Sequence, residues 1–306
     1  MAPQKRTVLV TGGAGFIGSN LVDALIERGD QVRVLDNLST GSRERLNPRA
    51  DLIERDIRDL DAIRPAFSGI DCVFHTAALP RVPLSIANPV DTHAVNATGT
   101  LNVLVAARDA RVRRLVNSGS SSVYGDQPTL PLREELAPNP LNPYGLQKLM
   151  GEYYARQFCQ LFCLQTLTLR YFNVYGPRMA TEGAYVTVIS VFLRQRRASE
   201  PLTVDGDGEQ TRDFTHVRDV ARANLLAMDS EVADGRAINI GAGSNVSINQ
   251  VARMIGGPIV HRAPRPGDAH DTLADYSQAE KILGWRPSVT LEEGVADLLR
   301  SAALRS

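Results

Sequence analysis

Short apolar runs rich in β-branched residues alternate with amphipathic stretches through the first half of the chain. Residues 7–10, 31–35, 51–53, 72–75, 114–116 and 166–169 read as strands. Between the first two, Phe16, Ile17, Leu21, Val22, Leu25 and Ile26 share a helical face, and Gly29 stands where a glycine would close that helix. Such alternation predicts the α/β class, a parallel sheet doubly wound by helices on both faces. From about Val174 the rhythm breaks, and Gly176-Pro177-Arg178, Gly183 and Val204-Asp205-Gly206-Asp207-Gly208 mark turns. Ser247 with Gln250, Ser277 with Glu280 and Thr290 with Glu293 are candidate capping boxes, each before an apolar helical run. The chain thus divides into a sheet domain over residues 1–172, with return segments near 213–240, and a smaller, loop-rich α/β domain over 173–306. Such a sheet takes its ligand at the carboxyl ends of the strands.

Composition narrows the classes. The 306 residues are 43% hydrophobic and 22% charged, ordinary for a globular protein. Thirty-four basic residues balance thirty-four acidic ones, which removes the electrostatic case for a nucleic-acid partner. No apolar run approaches the ~20 residues needed to cross a bilayer. The start, Met1 to Arg6, leads straight into a strand-like run and does not read as a signal peptide. Three cysteines, Cys72, Cys159 and Cys163, argue against a disulfide scaffold and suit a reducing cytoplasm. Cys159 and Cys163 read as a buried helix face rather than a metal pair, because no further ligands stand nearby, and the five histidines form no ligand-spaced cluster; no metal is expected.

The first strand runs into Thr11-Gly12-Gly13-Ala14-Gly15-Phe16-Ile17-Gly18 and then a helix. Glycines there let the backbone approach a pyrophosphate, and the helix N-terminus stabilises its charge. A plain strand–turn–helix would also tolerate small residues, but the loop has the required context. Asp36 ends the second strand, where a carboxylate accepts from ribose hydroxyls and repels a 2′-phosphate, so NAD is favoured over NADP. Arg33, Arg43 and Arg45 nearby pull the other way. Asp56-Ile57 either contacts the adenine or supplies a cap for the next helix.

Tyr144 and Lys148 stand four apart after Asn142-Pro143, and Pro143 suits a first helical turn. Their side chains therefore share a helix face. This is the spacing of an ordinary surface contact, and equally of a phenol beside an ammonium that favours the phenolate. A free tyrosine titrates near 10, and bringing it to about 7 takes roughly 4 kcal/mol. One lysine does not readily supply that, so a bound cationic cofactor is expected to help.

Gly12-x-x-Gly15-x-x-Gly18 with Tyr144-x-x-x-Lys148 resembles the extended short-chain dehydrogenase/reductase superfamily over nearly the whole chain. His75-Thr76-Ala77-Ala78, Asn96, the run Arg170 to Gly176, the run Gly206 to Phe214 and Arg265-Pro266-Gly267-Asp268 narrow the resemblance to its nucleotide-sugar epimerase/dehydratase branch. The resemblance implies a Rossmann-like NAD domain with contacts from Gly12, Gly15, Phe16, Ile17, Gly18, Asp36, Asn37, Asp56, Ile57, Ala77, Ala78, Asn96, Tyr144 and Lys148. It implies Ser120, Tyr144 and Lys148 as the catalytic set. Related 4,6-dehydratases carry Asp-Glu where this chain has Ser121 and Ser122, and decarboxylases usually carry glutamate at the position of Ser122; serines there resemble the 4-epimerases. Serines at a strand end also bond their own backbone, which suits Ser118 and Ser122.

The resemblance further implies a UDP-sugar held by Ser120, Ser121, Tyr144, Asn173, Arg212, Arg265 and Asp268, with Arg178 and Arg218 as lesser candidates. Thr272, where a bulky tyrosine would exclude an N-acetyl group, leaves room for UDP-GlcNAc and UDP-GalNAc beside UDP-Glc and UDP-Gal. Arg81 keeps UDP-glucuronate in play, whereas Glu182 disfavours a carboxylated sugar. A decarboxylase, a reductase releasing NAD(P)H and a non-catalytic dinucleotide sensor are the rival readings. A homodimer through the helix bearing Met150, Tyr153, Tyr154, Phe158, Leu161 and Phe162, with the one near Leu101 and Val105, is implied alongside two-sided internal burial of that helix.

Overall fold

The computed structural model describes residues 5–180, 186–264 and 269–303. The chain opens with β1 (Thr7–Thr11), α1 (Phe16–Arg28), β2 (Gln31–Asp36), β3 (Asp51–Glu54), α2 (Leu60–Ile63) and β4 (Cys72–His75). Then come α3 (Val82–Ala87), α4 (Pro89–His93), a π-helical turn (Ala94–Gly99), α5 (Thr100–Asp109), β5 (Arg114–Ser120), α6 (Pro143–Phe162) and β6 (Gln165–Tyr171). The later part holds α7 (Val188–Arg197), β7 (Leu202–Asp205), β8 (Thr211–Asp213), α8 (Val217–Asp229) and β9 (Asp234–Ile240). It ends in β10 (Asn245–Ser247), α9 (Ile248–Ile255), β11 (Ile259–Arg262), α10 (Ser277–Leu283) and α11 (Leu291–Ala303).

Seven parallel strands lie in the order β3-β2-β1-β4-β5-β6-β9, a Rossmann-like α/β sheet as the apolar runs predict. Alternate strand residues feed opposite faces. Val8 and Val10 join Cys72 and Phe74 in the core under α1 and α8, while Leu9 and Val73 join the core under α5 and α6. The seventh strand is absent from the apolar-run reading, because β9 opens on Asp234-Gly235-Arg236 and only its second half is fully buried. Strand order reverses about β1, between β2 and β4, and that reversal opens a crevice at the carboxyl ends.

Local stops follow the sequence. Gly29 closes α1 at φ 98°, its N–H bonding Ile26 while Asp30 bonds Leu25. Ser247 and Gln250 form a reciprocal capping box, and Thr290 and Glu293 exchange the same two bonds at 3.0 and 3.2 Å. The box expected at Ser277 does not form: Tyr276 precedes α10, and the Ser277 N–H donates to Asp275 instead. The helix face expected to bury both Cys159 and Cys163 buries neither fully. Cys159 is half-buried, and Cys163 is exposed because it ends α6 at φ 57°.

The smaller lobe pairs β7 with β11 and β8 with β10 and packs α7, α9 and α11 around Phe192, Val204 and Val251. Buried Asp219 at the start of α8 ties the tail down. It accepts from the Ser288 and Val289 N–H groups and the Ser288 hydroxyl at 2.9, 3.0 and 2.6 Å, while its carbonyl takes the Trp285 indole.

Candidate active site

A cleft of about 1330 Å³ crosses the carboxyl ends of the central strands. Asp36, Asn37, Asp56 and Ile57 line one end, the glycine loop and Ala77-Ala78 the floor, and Ser118–Ser122, Tyr144 and Lys148 the middle. Asn173, Val188, Gln210 and Arg212 line the far end, contributed by the smaller lobe and the segment leading to it.

The first half of the cleft fits a dinucleotide. Gly12 has φ 71°, and a Cβ there would stand 2.6 Å from the Ala77 backbone, so only glycine lets β1 and the β4 exit approach this closely. At Gly18 a Cβ would collide with the Gly12 carbonyl. Helix α1 begins at Gly15 with neither a side-chain cap nor an acidic first turn, which leaves its N-terminal N–H groups to an anion. The Asp36 carboxylate is fixed by the Ala14 and Leu38 N–H groups at 2.9 and 2.8 Å. Asp56 accepts from Asn37 at 2.9 Å and from Arg58, whose hydrogen bond pulls the carboxyl down to about 2. Asp56 does not cap α2; Asp59 does, accepting from Ala62.

The reactive set is assembled by β5 and α6. Asn142 caps α6 by accepting from Gly145 at 2.8 Å, and Pro143 occupies the first turn. Ser120 ends β5 beside the Tyr144 phenol, while the Lys148 ammonium donates to the Ser118 carbonyl at 2.8 Å. The Ser120 hydroxyl donates to the Ser122 hydroxyl at 3.1 Å and accepts the Ser122 N–H at 3.2 Å. The drop in the tyrosine's pKa is expected with a bound cationic cofactor, and the chain's own groups do not supply it. Burial pushes Tyr144 up to about 12 against the opposing effect of the Ser120 hydroxyl, and burial brings Lys148 down to about 8. Desolvation penalises the charged form of both groups and outweighs their proximity.

Beneath the floor lies a buried polar chain that the motifs marked only in part. The Thr100 hydroxyl donates to the Asn96 carbonyl at 2.7 Å, so it accepts from His75 Nε2–H at 2.8 Å. His75 Nδ1 then accepts from the Thr11 hydroxyl at 2.7 Å. Burial, then the charge of Lys148, holds His75 down to about 3. The unfolded imidazole takes its proton near 6.5 and the folded one refuses it until about 3, so this contribution is whole above 6.5 and is lost as pH falls through that window. His75→Gln should therefore narrow its stability gap to the parent by roughly 3 kcal/mol between pH 7 and pH 4, read by urea unfolding.

Asn96 does not line the cleft. Its amide holds both backbone groups of Leu79, so it shapes the wall from behind. Thr272, expected to gate the sugar, is likewise off the wall: it is buried, with its hydroxyl bonding Asn173 Nδ2 and the Asp213 N–H at 3.2 Å each. Its side chain is consumed in placing Asn173, which adopts φ 29°. Arg212 lines the cleft and donates to the carbonyls of Thr211 and His270. Arg265, Asp268 and Glu182 lie outside the described residues. Arg81 lines the cleft and donates to the Val186 carbonyl, whereas Arg178 pairs with Asp23 at 2.6 Å. Gln147 and Ser85, which organise α6, escaped sequence reasoning because neither stands in the glycine or Tyr-Lys pattern. Among the described residues no His/Cys/Asp/Glu group is arranged for a metal, and no helix is long and apolar enough to cross a membrane.

Comparison with known proteins agrees with this geometry. The model of the NAD dependent epimerase/dehydratase family matches residues 8–241. A UDP-glucose 4-epimerase of Mycolicibacterium smegmatis is 35% identical, with 94% of this chain and 96% of the relative covered. The crystal structure of a UDP-glucose 4-epimerase with UDP-glucose from Thermotoga maritima superposes with a TM-score of 0.92 at 37% identity, covering 97% of this chain and 99% of the other. A UDP-glucuronic acid 4-epimerase from Bacillus cereus, in complex with UDP-glucuronic acid and NAD, gives 0.89 at 31% identity, covering 98% of this chain and 100% of that one. The chain therefore belongs to the NAD dependent epimerase/dehydratase family, as an NAD-dependent enzyme of the isomerase class.

Proposed function

We propose that this chain inverts C4 of a neutral UDP-hexose, interconverting UDP-glucose and UDP-galactose. The observation that carries the reading is one wall bearing Ser120, Tyr144 and Lys148 with hydroxyls alone at Ser121 and Ser122. A phenol, a serine and an ammonium can move a proton to and from a sugar hydroxyl. The two following serines supply no acid–base pair for eliminating water or driving decarboxylation.

Bound NAD supplies reversible oxidising power. The chain does the rest. Tyr144 holds the proton of the C4 hydroxyl at its phenolic oxygen and returns it. Ser120, beside that phenol, orients the hydroxyl. Lys148, braced on Ser118, keeps a positive charge one helical turn away. Asn173 and Arg212, and with them Arg265 and Asp268 outside the described residues, are proposed for the UDP part, since an arginine fork bonds phosphate oxygens in pairs.

Incubation with UDP-galactose, UDP-GalNAc and UDP-glucuronate, with the C4 epimers read by NMR, tests the reading. Epimerisation of UDP-galactose without added reductant and without CO₂ release is expected. Turnover of the uronate alone would replace it with a second reading, favoured by Arg81 on the cleft wall. The proposal extends to a homodimer, because Leu146, Tyr153, Leu161 and Phe162 leave α6 with exposed apolar side chains. A single-chain mass in sedimentation would remove that part.

A further inference from the structure

We propose that Gln147 is a positioning residue that latches the cleft wall at Ala77–Arg81 to the helix carrying Tyr144 and Lys148. Gln147 stands between the two reactive residues in sequence but points away from the cleft, and it is only 3% exposed. Its Oε1 accepts from Asn96 Nδ2 at 2.9 Å, and its Nε2 donates to the Thr92 hydroxyl at 3.0 Å and to the Pro89 carbonyl at 3.4 Å. Asn96, 1% exposed, gives the rest of its amide to Leu79: its Oδ1 accepts the Leu79 N–H at 2.7 Å and its Nδ2 donates to the Leu79 carbonyl at 3.1 Å. Asn96 is itself held in the π-helical turn between α4 and α5, a local departure from α-geometry of the kind that recurs at functional sites.

The logic is one of orientation. A half-buried loop backbone behind a cleft wall needs partners for the N–H and C=O groups turned away from solvent. A single planar amide serves both groups of Leu79 only if it cannot turn over. Gln147 prevents the turn, because Asn96 must present Nδ2 to Oε1, and Thr92 and Pro89 fix which end of Gln147 is Oε1. The network is satisfied member by member, and such networks fail as units. A second bond works in parallel: the Ser85 hydroxyl of α3 accepts the Tyr144 N–H at 3.1 Å. The wall at Ala77–Arg81 and the phenol therefore move together.

The kinetic arm of the test rests on the proposed epimerase activity; the structural arm does not. Gln147→Met keeps length and removes donor and acceptor. In cofactor-free protein it should speed deuterium uptake at the amides of 77–79, 81 and 82 about tenfold, the worth of one hydrogen bond. With UDP-galactose it should lower kcat roughly 10- to 100-fold at similar KM, the scale of an ångström-sized misplacement. Asn96→Leu should do the same, and the double variant should be no worse than the worse single, since both act through one latch. Gln147→Glu, which keeps an acceptor for Asn96, should recover part of the loss. Wild-type uptake and kcat in folded Gln147→Met, or single losses that multiply, would overturn the proposal. If Gln147→Met does not fold, Thr92→Val, which removes the outer bond of the latch together with the Thr92 hydroxyl's own bonds to the Asn88 and Pro89 carbonyls, takes its place in the exchange measurement: faster uptake at 77–82 supports the latch, and parental uptake overturns it. If the parent epimerises no UDP-hexose, the functional reading fails while the exchange result still decides the latch.

Discussion

Tyr144→Phe is expected to lower kcat by roughly 10²- to 10⁴-fold, the range of a lost general acid–base group. The side chain keeps its ring in place, and the lost hydroxyl gives up at most one polar contact beside Ser120, so unfolding stability should shift by no more than about 1 kcal/mol. The split between a large kinetic and a small thermodynamic effect is what separates a reacting group from a packing one. A folded Tyr144→Phe enzyme with near-parental turnover would refute the assignment. The same site explains why the free chain is a poor base. With the phenol pushed up to about 12 and the ammonium down to about 8, both groups rest uncharged more readily than in water. Phenolate formation must therefore be coupled to ligand binding. A phenolate difference spectrum around Tyr144, absent near neutral pH in the cofactor-free protein, is the matching signature.

Glu152→Ala should cost about 3–5 kcal/mol of stability, read from the urea midpoint, because it strands a buried guanidinium. Arg170 donates to Glu152 through Nε and Nη2 at 3.0 and 2.6 Å, with the two side chains 4% and 8% exposed, and stacks 4.7 Å from the Tyr124 ring centroid. The pair joins α6 to β6, two helical turns beyond Tyr144. Replacing both partners with apolar residues of similar volume, Glu152→Leu with Arg170→Met, should restore most of the loss, since no charge is then left alone. A double variant as unstable as Glu152→Ala would show that the pair contributes more than mutual neutralisation.

The legible parts of this molecule are those governed by local rules. Apolar runs mark six strands, glycine and proline mark the end of α1 and the start of α6, and two of three capping boxes form. The glycine loop and Tyr144-x-x-x-Lys148 point to the family because each is a short pattern with its own geometry. Non-local relations stay hidden. Strand β9 escapes because a charged, glycine-bearing start masks a half-buried edge strand. Thr272 and Asn96 are expected in the cleft and lie off it, because motif position does not tell which way a side chain faces. A four-residue spacing reports the proximity of Tyr144 and Lys148 and says nothing about the desolvation that raises the phenol.

Asp219 bears on how the protein is made. Its carboxylate waits for Ser288 and Val289, and its carbonyl for Trp285, all more than sixty residues downstream. A chain emerging from the ribosome can pair β1 through β6 long before those partners exist, and domains fold N-terminal first during synthesis. Until residue 289 is out, Asp219 has the Arg222 guanidinium on its own helix and lacks the Ser288 and Val289 donors. Strands β1 to β6 are thus available to pair early, whereas the core under α1 and α8 closes only when Trp285 arrives. A chain stopped before residue 285 would carry the paired strands and lack the indole that fills the space beneath them.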